Sequence, residues 1–503
     1  MYLILLSIMA PILIGIYLLV RKEHSDRKLL LVTVGIAFVL TGALVVAALV
    51  TSYGISFTLF PLTETLSIVF AIDEMSILFS SVTVIVFLCA GFFSFEYMNH
   101  KTRVRRYYRL DSNHETKEKR FYGFYLIVFG VLNALCFAGN LITFYLFFEI
   151  LTLSSMPLVL HNGDREAIMA GLKYLFYSLC GAYMALFGIY FVYKNSDTLT
   201  FTSGGVLNGA AISNTGLLLI VALVMILGFS VKAGMFPMHA WLPTAHPVAP
   251  APASAVLSAV IVKAGVLAII RVVYYILGSA FLQGTWVQTT WLVLTLITVF
   301  MGSMLAYREP VLKKRLAYST VSQLSYILFG LAAMSTETMT GSLLHVLAHG
   351  LIKATLFLCA GAIIHMTGKT RVDELRGIGK EMPVTMWCYT IVSLGLIGIP
   401  PTGGFVSKWY LAIGSLSSAT PVFRWLGPVI LLVSALLTAG YLLPLTIQGF
   451  LPGADYDYEK LKKREPSLFM TIPIAFMTVM SVLVGLFPTK LVDLLMSFVS
   501  RIV

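Results

Sequence analysis

The sequence predicts an all-α polytopic membrane protein of about fourteen transmembrane helices, two of them broken. Three observations predict it. Charged residues make up 12% of the 503, against 58% hydrophobic, and mean hydropathy is +0.89. Apolar runs of roughly 18 or more residues, each able to cross the hydrocarbon as a helix, recur from end to end. Lysine and arginine are sorted between alternate loops. A soluble domain carries about 25% charged residues, and no stretch long enough to form one is left over. In hydrocarbon a helix satisfies its own backbone.

The predicted spans are 2–20, 29–50, 72–97, 121–138, 141–160, 168–193, 214–231, 252–277, 286–306, 312–333, 338–367, 384–417, 428–450 and 467–488. The first run, Tyr2 to Val20, has no basic residue ahead of it, so it reads as a retained span rather than a secretory signal. The sixth span ends in the polar stretch from Asn195 to Ser213. Cys89, Cys136, Cys180, Cys359 and Cys388 lie singly in apolar segments, a pattern of small buried hydrophobes rather than of a metal site.

With the N-terminus outside, twenty-five Lys and Arg fall in inner loops and four (Lys194, Arg424, Lys490 and Arg501) in outer ones. The segment from Thr51 to Glu74 has none. The net charge of +12 is therefore a topology signal, not a nucleic-acid patch. Both termini are expected outside, in a prokaryotic plasma membrane.

Six basic residues remain at membrane depth: Lys173, Lys232, Lys263, Arg271, Lys353 and Lys408. Arg271 is near a span end and is expected to snorkel. The others need a partner, water or loss of the proton, which makes them functional candidates. Glu149, in FFEILTLSSMP, has long apolar flanks on both sides. A nearby lysine would form with it a pair that opens or closes with small changes in distance or hydration; a purely structural pair is the competing reading, though buried ion pairs stabilise poorly. His345, His349 and Lys353 are spaced by four, so each is turned by only about 40° from the last and the three form one stripe. Imidazole passes protons in both directions near neutral pH. Packing histidines are the plain alternative, and bis-histidine haem ligation is excluded because neighbours on one helix cannot bind opposite faces of the iron.

Two spans read as broken. The segment from Lys232 to Pro252 holds Pro237, Pro243, Pro247, Pro250 and Pro252, too many for a continuous helix. GIPPTGGFVSKWYLAIG interrupts the twelfth span. Each break has a lysine nearby, Lys232 and Lys408, and paired discontinuous helices point to an ion path.

Five strings, in order, carry a resemblance: FFEILTLSSMP, VKAGMFPMHAWLPTAHPVAPAPASAVLSAVIVKAG, KKRLAYSTVSQLSYILFG, HVLAHGLIKATLFLCAGAI and LIGIPPTGGFVSKWY. Together they resemble the antiporter-like subunits shared by respiratory complex I, Mrp-type Na+/H+ antiporters and membrane-bound hydrogenases, from about Asp73 to Phe450. The resemblance implies two inverted five-helix repeats. The chain then divides into an N-terminal three-helix segment with a basic cytoplasmic loop (1–120), a first repeat (121–280, spans 4–8), a second repeat (281–450, spans 9–13), and a C-terminal loop with span 14 (451–503). It also implies roles. Glu149 matches the fifth-helix glutamate and Lys232 its seventh-helix partner. Lys263, His345, His349 and Lys353 match the relay, and Lys408 the end of the exit path. Lys408 departs from the glutamate of the M-type complex I subunit and favours the Mrp D-like, L-like or N-like branches. Termination at Val503 disfavours the longer L-like and Mrp A-like members. Lys173, in GLKYLFYSL, resembles a family lysine of less defined role. The basic insertion from Lys101 to Arg120 is long for the family and reads as a docking site.

The expected function is a proton-translocating subunit of a multisubunit ion-pumping complex, either an Mrp-type antiporter or the ion-pumping arm of a hydrogenase or complex I-like assembly. Its expected partners are other membrane subunits and protons, with Na+ as the alternative ion. No cofactor, metal or nucleic acid is expected on this chain. It shows no GxGxxG after a strand, no CxxCH and no cluster-forming cysteine spacing, so any redox chemistry belongs to partner subunits. A self-sufficient transporter of an organic solute is the competing function.

Overall fold

The computed structural model describes residues 1–21, 26–63, 66–99, 114–208, 214–417, 421–454, 456–457 and 461–503. In chain order the helices are α1 (Tyr2–Val20), α2 (Arg27–Thr51), α3 (Glu74–Tyr97), α4 (His114–Cys136), α5 (Leu141–Val159), α6 (Arg165–Lys194), α7 (Thr215–Ala233), α8 (Leu242–Val248), α9 (Ala251–Val256), α10 (Lys263–Ile270), α11 (Ser279–Leu282), α12 (Trp286–Arg308), α13 (Leu312–Ala333), α14 (Thr336–Thr367), α15 (Ile378–Glu381), α16 (Pro383–Ile397), α17 (Gly403–Leu416), α18 (Pro421–Phe450), α19 (Leu468–Leu486) and α20 (Thr489–Val499). An antiparallel hairpin, β1 (Ser56–Pro61) and β2 (Ser67–Ala71), lies between α2 and α3. Among the described residues, thirteen helical stretches are long and apolar enough to cross a membrane. The other expected crossing is the pair α16 and α17, each too short alone.

The two predicted breaks have local causes. Helix α7 ends at Gly234, whose φ of 71° is left-handed and suits glycine. Proline then denies the following segment a regular donor pattern until α9. Helix α16 ends at Gly398, φ 93°, ahead of Pro400 and Pro401. Thr402 restarts the helix by accepting a hydrogen bond from the Phe405 N–H.

Span 8 is less regular than its sequence suggests. Between α9 and α10 lies a π-helical turn, Leu257–Ile261, and after α10 a second one, Arg271–Leu277. Such widened turns are rare and cluster at functional positions. The stretch from Ala251 to Leu277 is buried throughout, whereas α1 and α18 are only about one-third buried. Span 8 and α14 thus form the centre, and α1, α2, α6 and α18 present apolar faces to lipid.

The connections gather at two ends. At one, the Ala71 N–H donates to Phe137 O at 2.7 Å, Thr202 N–H to Tyr275 O at 3.4 Å, and Ser279 Oγ to Val503 O at 3.1 Å. At the other, Arg27 pairs with Glu118 at 2.9 Å, Lys313 Nζ donates to Ala249 O at 2.5 Å, Val311 bridges to Arg371, and Arg464 pairs with Glu381 at 3.3 Å. The first end is the hairpin face and the second the basic face. The loops separated by charge in the sequence lie at separate ends of the fold. Positions 100–113 of the basic insertion, read from the sequence as a docking site, lie outside the described residues.

Arg271 corrects an expectation. It does not snorkel to the interface: it is 2% exposed and forms a two-pronged pair with Asp73, at 2.5 Å and 2.9 Å. Its guanidinium lies 4.7 Å from the Phe201 ring and 4.9 Å from the Tyr275 ring. A carboxylate 198 positions away leaves no local pattern to find.

Candidate functional site

Lys232 is at the C-terminal end of α7, fully buried. Its Nζ donates to Phe148 O at 2.9 Å and Thr152 Oγ1 at 2.7 Å, and lies 4.0 Å from the centre of the Phe148 ring. All three contacts come from α5, the helix of Glu149. Neither hydrogen bond reaches Glu149, whose Oε1 has no hydrogen-bond partner. The glutamate and lysine therefore sit within charge-charge reach but not in a closed ion pair. A backbone carbonyl, a hydroxyl and an aromatic face hold the ammonium in place of the carboxylate.

Lys263 begins α10, one residue (Val262) after the first π-turn, and is 1% exposed. It donates to Ala259 O in that widened turn. Helix α10 can approach α7 because Gly265 lies against the backbone of Phe229, Lys232 and Ala233; a Cβ there would be 2.7 Å from Ala233 N. On its other side Lys263 approaches α14 at Gly350, where a Cβ would lie 3.5 Å from Nζ. Lys263 thus meets α14 between His349 and Lys353.

The stripe on α14 is present and buried. The rings of His345 and His349 are near parallel, with centroids 5.7 Å apart. Both ring nitrogens of His349 lack partners. Lys353 Nζ donates to Leu316 O at 3.0 Å and to Ser319 Oγ, both on α13. His345 is held from two helices: Nε2 is 3.1 Å from Gln323 Oε1 on α13, and Nδ1 is 2.8 Å from Ser407 Oγ on α17. With the carboxamide oxygen, which only accepts, facing the ring, the hydrogen lies on Nε2. The Ser407 hydroxyl is also 3.0 Å from Gly404 O. Turned toward Nδ1 it suits neutral imidazole; turned toward Gly404 O it leaves Nδ1 to donate, which suits imidazolium. One hydroxyl rotation accommodates both protonation states.

Lys408 is next to Ser407. Its Nζ donates to Leu396 O at 2.6 Å and Ile397 O at 3.1 Å, the free carbonyl end of half-helix α16, and lies 4.9 Å from the Tyr326 ring. A cation at a helix C-terminus meets the negative end of its dipole. Tyr326 also stacks on His345, with centroids 5.8 Å apart, which joins the stripe to the lysine. Lys173 stands apart, half-buried in a groove lined by Glu166, Thr244 and Lys314.

Five of the seven candidate residues, Lys232, Lys263, Lys353, His349 and His345, are buried, and Glu149 and Lys408 are half-buried; Lys263 faces the α14 stripe and Lys408 adjoins its far end, while α10 packs on the backbone at Lys232. Their partners include residues that did not stand out in the sequence: Thr152, Ser319, Gln323, Ser407 and Tyr326. A signal existed for some of them. Ser319 and Gln323 are four apart in an apolar helix, and Thr152 is three residues after Glu149.

The family described as NADH:quinone oxidoreductase/Mrp antiporter, TM, matches residues 138–449, and the family described as NADH-Ubiquinone oxidoreductase (complex I), chain 5 N-terminus, matches residues 62–108. The chain is 33% identical over 385 residues to the N subunit of the NADH-quinone oxidoreductase of Desulforudis audaxviator, covering 74% of this chain and 75% of that one. It is 30% identical over 424 residues to the D-type subunit of the Na(+)/H(+) antiporter of Bacillus subtilis, covering 83% and 80%. Its fold is shared with a chain of the archaeal membrane-bound sulfane sulfur reductase, with TM-score 0.84 and 22% identity over 99% of this chain and 97% of that one. With more than half its length matched, the chain belongs to the NADH:quinone oxidoreductase/Mrp antiporter transmembrane family.

Proposed function

We propose that this chain is a proton-translocating, antiporter-like membrane subunit of a multisubunit ion-pumping complex, related to the Mrp-type antiporters and to the membrane arms of hydrogenase and complex I-like assemblies. The observation that carries the reading is the succession of buried lysines and histidines from Lys232 to His345, ending at half-buried Lys408, with a carboxylate beside Lys232 that does not bond to it. Buried ionisable groups at membrane depth are costly and mark ion routes. Ammonium and imidazole groups exchange protons, and as cations or donors they give a sodium ion no ligand shell, so protons are the ion along this line.

Protons enter at Lys232, pass by Lys263 to the α14 stripe, and leave at Lys408. Movement of Glu149 toward Lys232 favours its charged form; withdrawal, the arrangement described above, favours release. The basic face is cytoplasmic by the charge rule. Other membrane subunits complete the assembly. An organic solute would need a roomy polar site in the centre, whereas the centre is filled by packed side chains.

The test is proton transport by vesicles holding the intact complex. Glu149→Gln keeps the shape and removes the charge, and should abolish transport while the subunit still inserts and assembles. Wild-type transport in that variant rules the mechanism out. Co-purified subunits and their nickel and iron content identify the parent complex. Small hydrophobic subunits without metal mean an Mrp-type antiporter; iron–sulfur subunits mean a redox-driven pump.

A further inference from the structure

Away from the lysines and histidines of the centre, α3 is the floor of two grooves on the outside of the fold. Helices α2 and α19 both pack on it, and a groove runs along each. The first, about 840 Å³, follows α2 from Leu31 to Ala43; the second, about 570 Å³, follows α19 from Leu468 to Phe476. Phe92 and Phe469 line both, so the grooves lie side by side and share one ridge. At about 1.5 Å per residue their lengths are roughly 18 Å and 12 Å, close to the ~15 Å depth of one leaflet. Both begin at the basic face. Arg27, paired with Glu118 there, lines the first, and Leu468 of the second is four residues after Arg464. Val32 and Ile36 in the first, and Phe469 and Ile472, are more than half exposed. A transmembrane helix would need one groove through both leaflets. Two troughs, each one leaflet deep with a common mouth, match the two acyl chains of one phospholipid.

The mouth carries both signs of charge. Arg27 gives Nε to Glu118 and Nη2 to Glu118 and Phe95 O, and its Nη1 has no partner among the described residues. Glu96 lines the same mouth, and its carboxylate makes no hydrogen bond among the described residues. It lies within charge-charge reach of Arg27. One free donor for a phosphate oxygen and one free acceptor for an ammonium are the complement of a phosphoethanolamine head group.

We propose that the two grooves hold one phosphatidylethanolamine molecule of the basic-face leaflet. Its phosphate sits on Arg27, its ammonium on Glu96, and its acyl chains on either side of the Phe92–Phe469 ridge. The lipid ties α2 to α19 across α3. The site is independent of the function proposed above and stands or falls without it.

The experiment strips the intact complex of lipid in detergent and offers it equal amounts of phosphatidylethanolamine, phosphatidylcholine and phosphatidylglycerol with the same acyl chains. Native mass spectrometry counts the lipids retained. Wild type should keep one phosphatidylethanolamine, about tenfold over either rival: the trimethylammonium of the choline lipid has no N–H for Glu96, and the glycerol lipid has no cation. Glu96→Gln leaves the Arg27–Glu118 pair in place and should bring phosphatidylglycerol to parity. Gly35→Leu fills the first groove, where a Cβ meets only the Phe95 ring, at 3.7 Å; one lipid should be lost whatever its head group. Equal retention of the three lipids by wild type, an unchanged preference in Glu96→Gln, or an unchanged count in Gly35→Leu overturns the site. So does a cross-link to another subunit from Ala43→Cys, exposed on the wall of the first groove, since a polypeptide would then cover it. The Glu96→Gln comparison reads out even where Gly35→Leu does not assemble.

Discussion

Asp73 and Arg271 close a two-pronged ion pair between the start of α3 and the π-turn that ends span 8, two turns beyond Lys263. Asp73 also caps α3 by accepting from the Ser76 N–H at 2.9 Å. Asp73→Asn leaves the guanidinium buried without its counter-charge, and breaking such a pair costs about 3–5 kcal/mol. Asp73 is 30% exposed, so the low end, about 3 kcal/mol, is expected. Burial alone would raise the Asp73 carboxyl; the Arg271 charge and its hydrogen bonds outweigh burial and hold it below its ordinary value of 3.8. The stabilisation is therefore fully present above pH 3.8 and is lost as pH falls through the lower folded value. Thermal melting of the purified complex should show a gap between wild type and Asp73→Asn at neutral pH that closes in stronger acid. A pH-independent gap would mean that the charge is not its source.

Thr152 supplies the 2.7 Å bond that holds Lys232 away from Glu149. A hydrogen bond to a charged group is worth about 1.5–3 kcal/mol, so Thr152→Val should shift the ammonium toward the carboxylate by at least about tenfold. Transport should slow but persist, unlike in Glu149→Gln. Vesicle proton flux compares the two, and equal loss in both would remove Thr152 from the positioning of Lys232.

Gly350 lets Lys263 meet α14. A Cβ there would lie 2.6 Å from Val82 Cγ1 as well as 3.5 Å from Lys263 Nζ. Gly350→Ala should therefore overpack the centre, at about 1–3 kcal/mol, and slow transport. Adding Val82→Ala should recover assembly through the space it frees. Recovery of stability without recovery of flux would place the remaining defect at Lys263.

Ser407→Ala removes the hydroxyl that adapts to both forms of His345. Lys408→Ala removes the next site altogether. Flux should fall partially in the first and disappear in the second, each in an assembled complex. Retained flux in Lys408→Ala would mean that protons leave elsewhere.

Much of this was legible in the sequence because the bilayer punishes charge. Lys232, Lys263, Lys353 and Lys408 stand out in apolar runs, and the four-residue spacing of His345, His349 and Lys353 is a helix face by arithmetic. The breaks were readable from Pro237 to Pro252 and from Pro400 to Gly404. Arg271 was misplaced because nearness to a span end says nothing of a partner as remote as Asp73. The π-turns around Lys263 have no composition of their own, since packing of Gly265 on α7 accompanies them. The hairpin of β1 and β2 lies in a segment noted only for its lack of Lys and Arg. Thr152, Ser319 and Ser407 are ordinary helix residues until a neighbouring helix brings a lysine or histidine to them.

The carbonyl end of α16 has a consequence for the timing of transport. Leu396 O and Ile397 O can only accept, and they take two hydrogens from Lys408. A neutral amine has two to give and an ammonium three. Both forms of Lys408 therefore satisfy this socket without any backbone movement, and the extra hydrogen of the charged form is the one left over to depart. In the proposed relay, release at this end is an uncommitted, reversible step that keeps pace with whatever reaches it. In the mechanism proposed above, the stroke that sets direction and speed therefore belongs at the other end, where Glu149 moves toward Lys232.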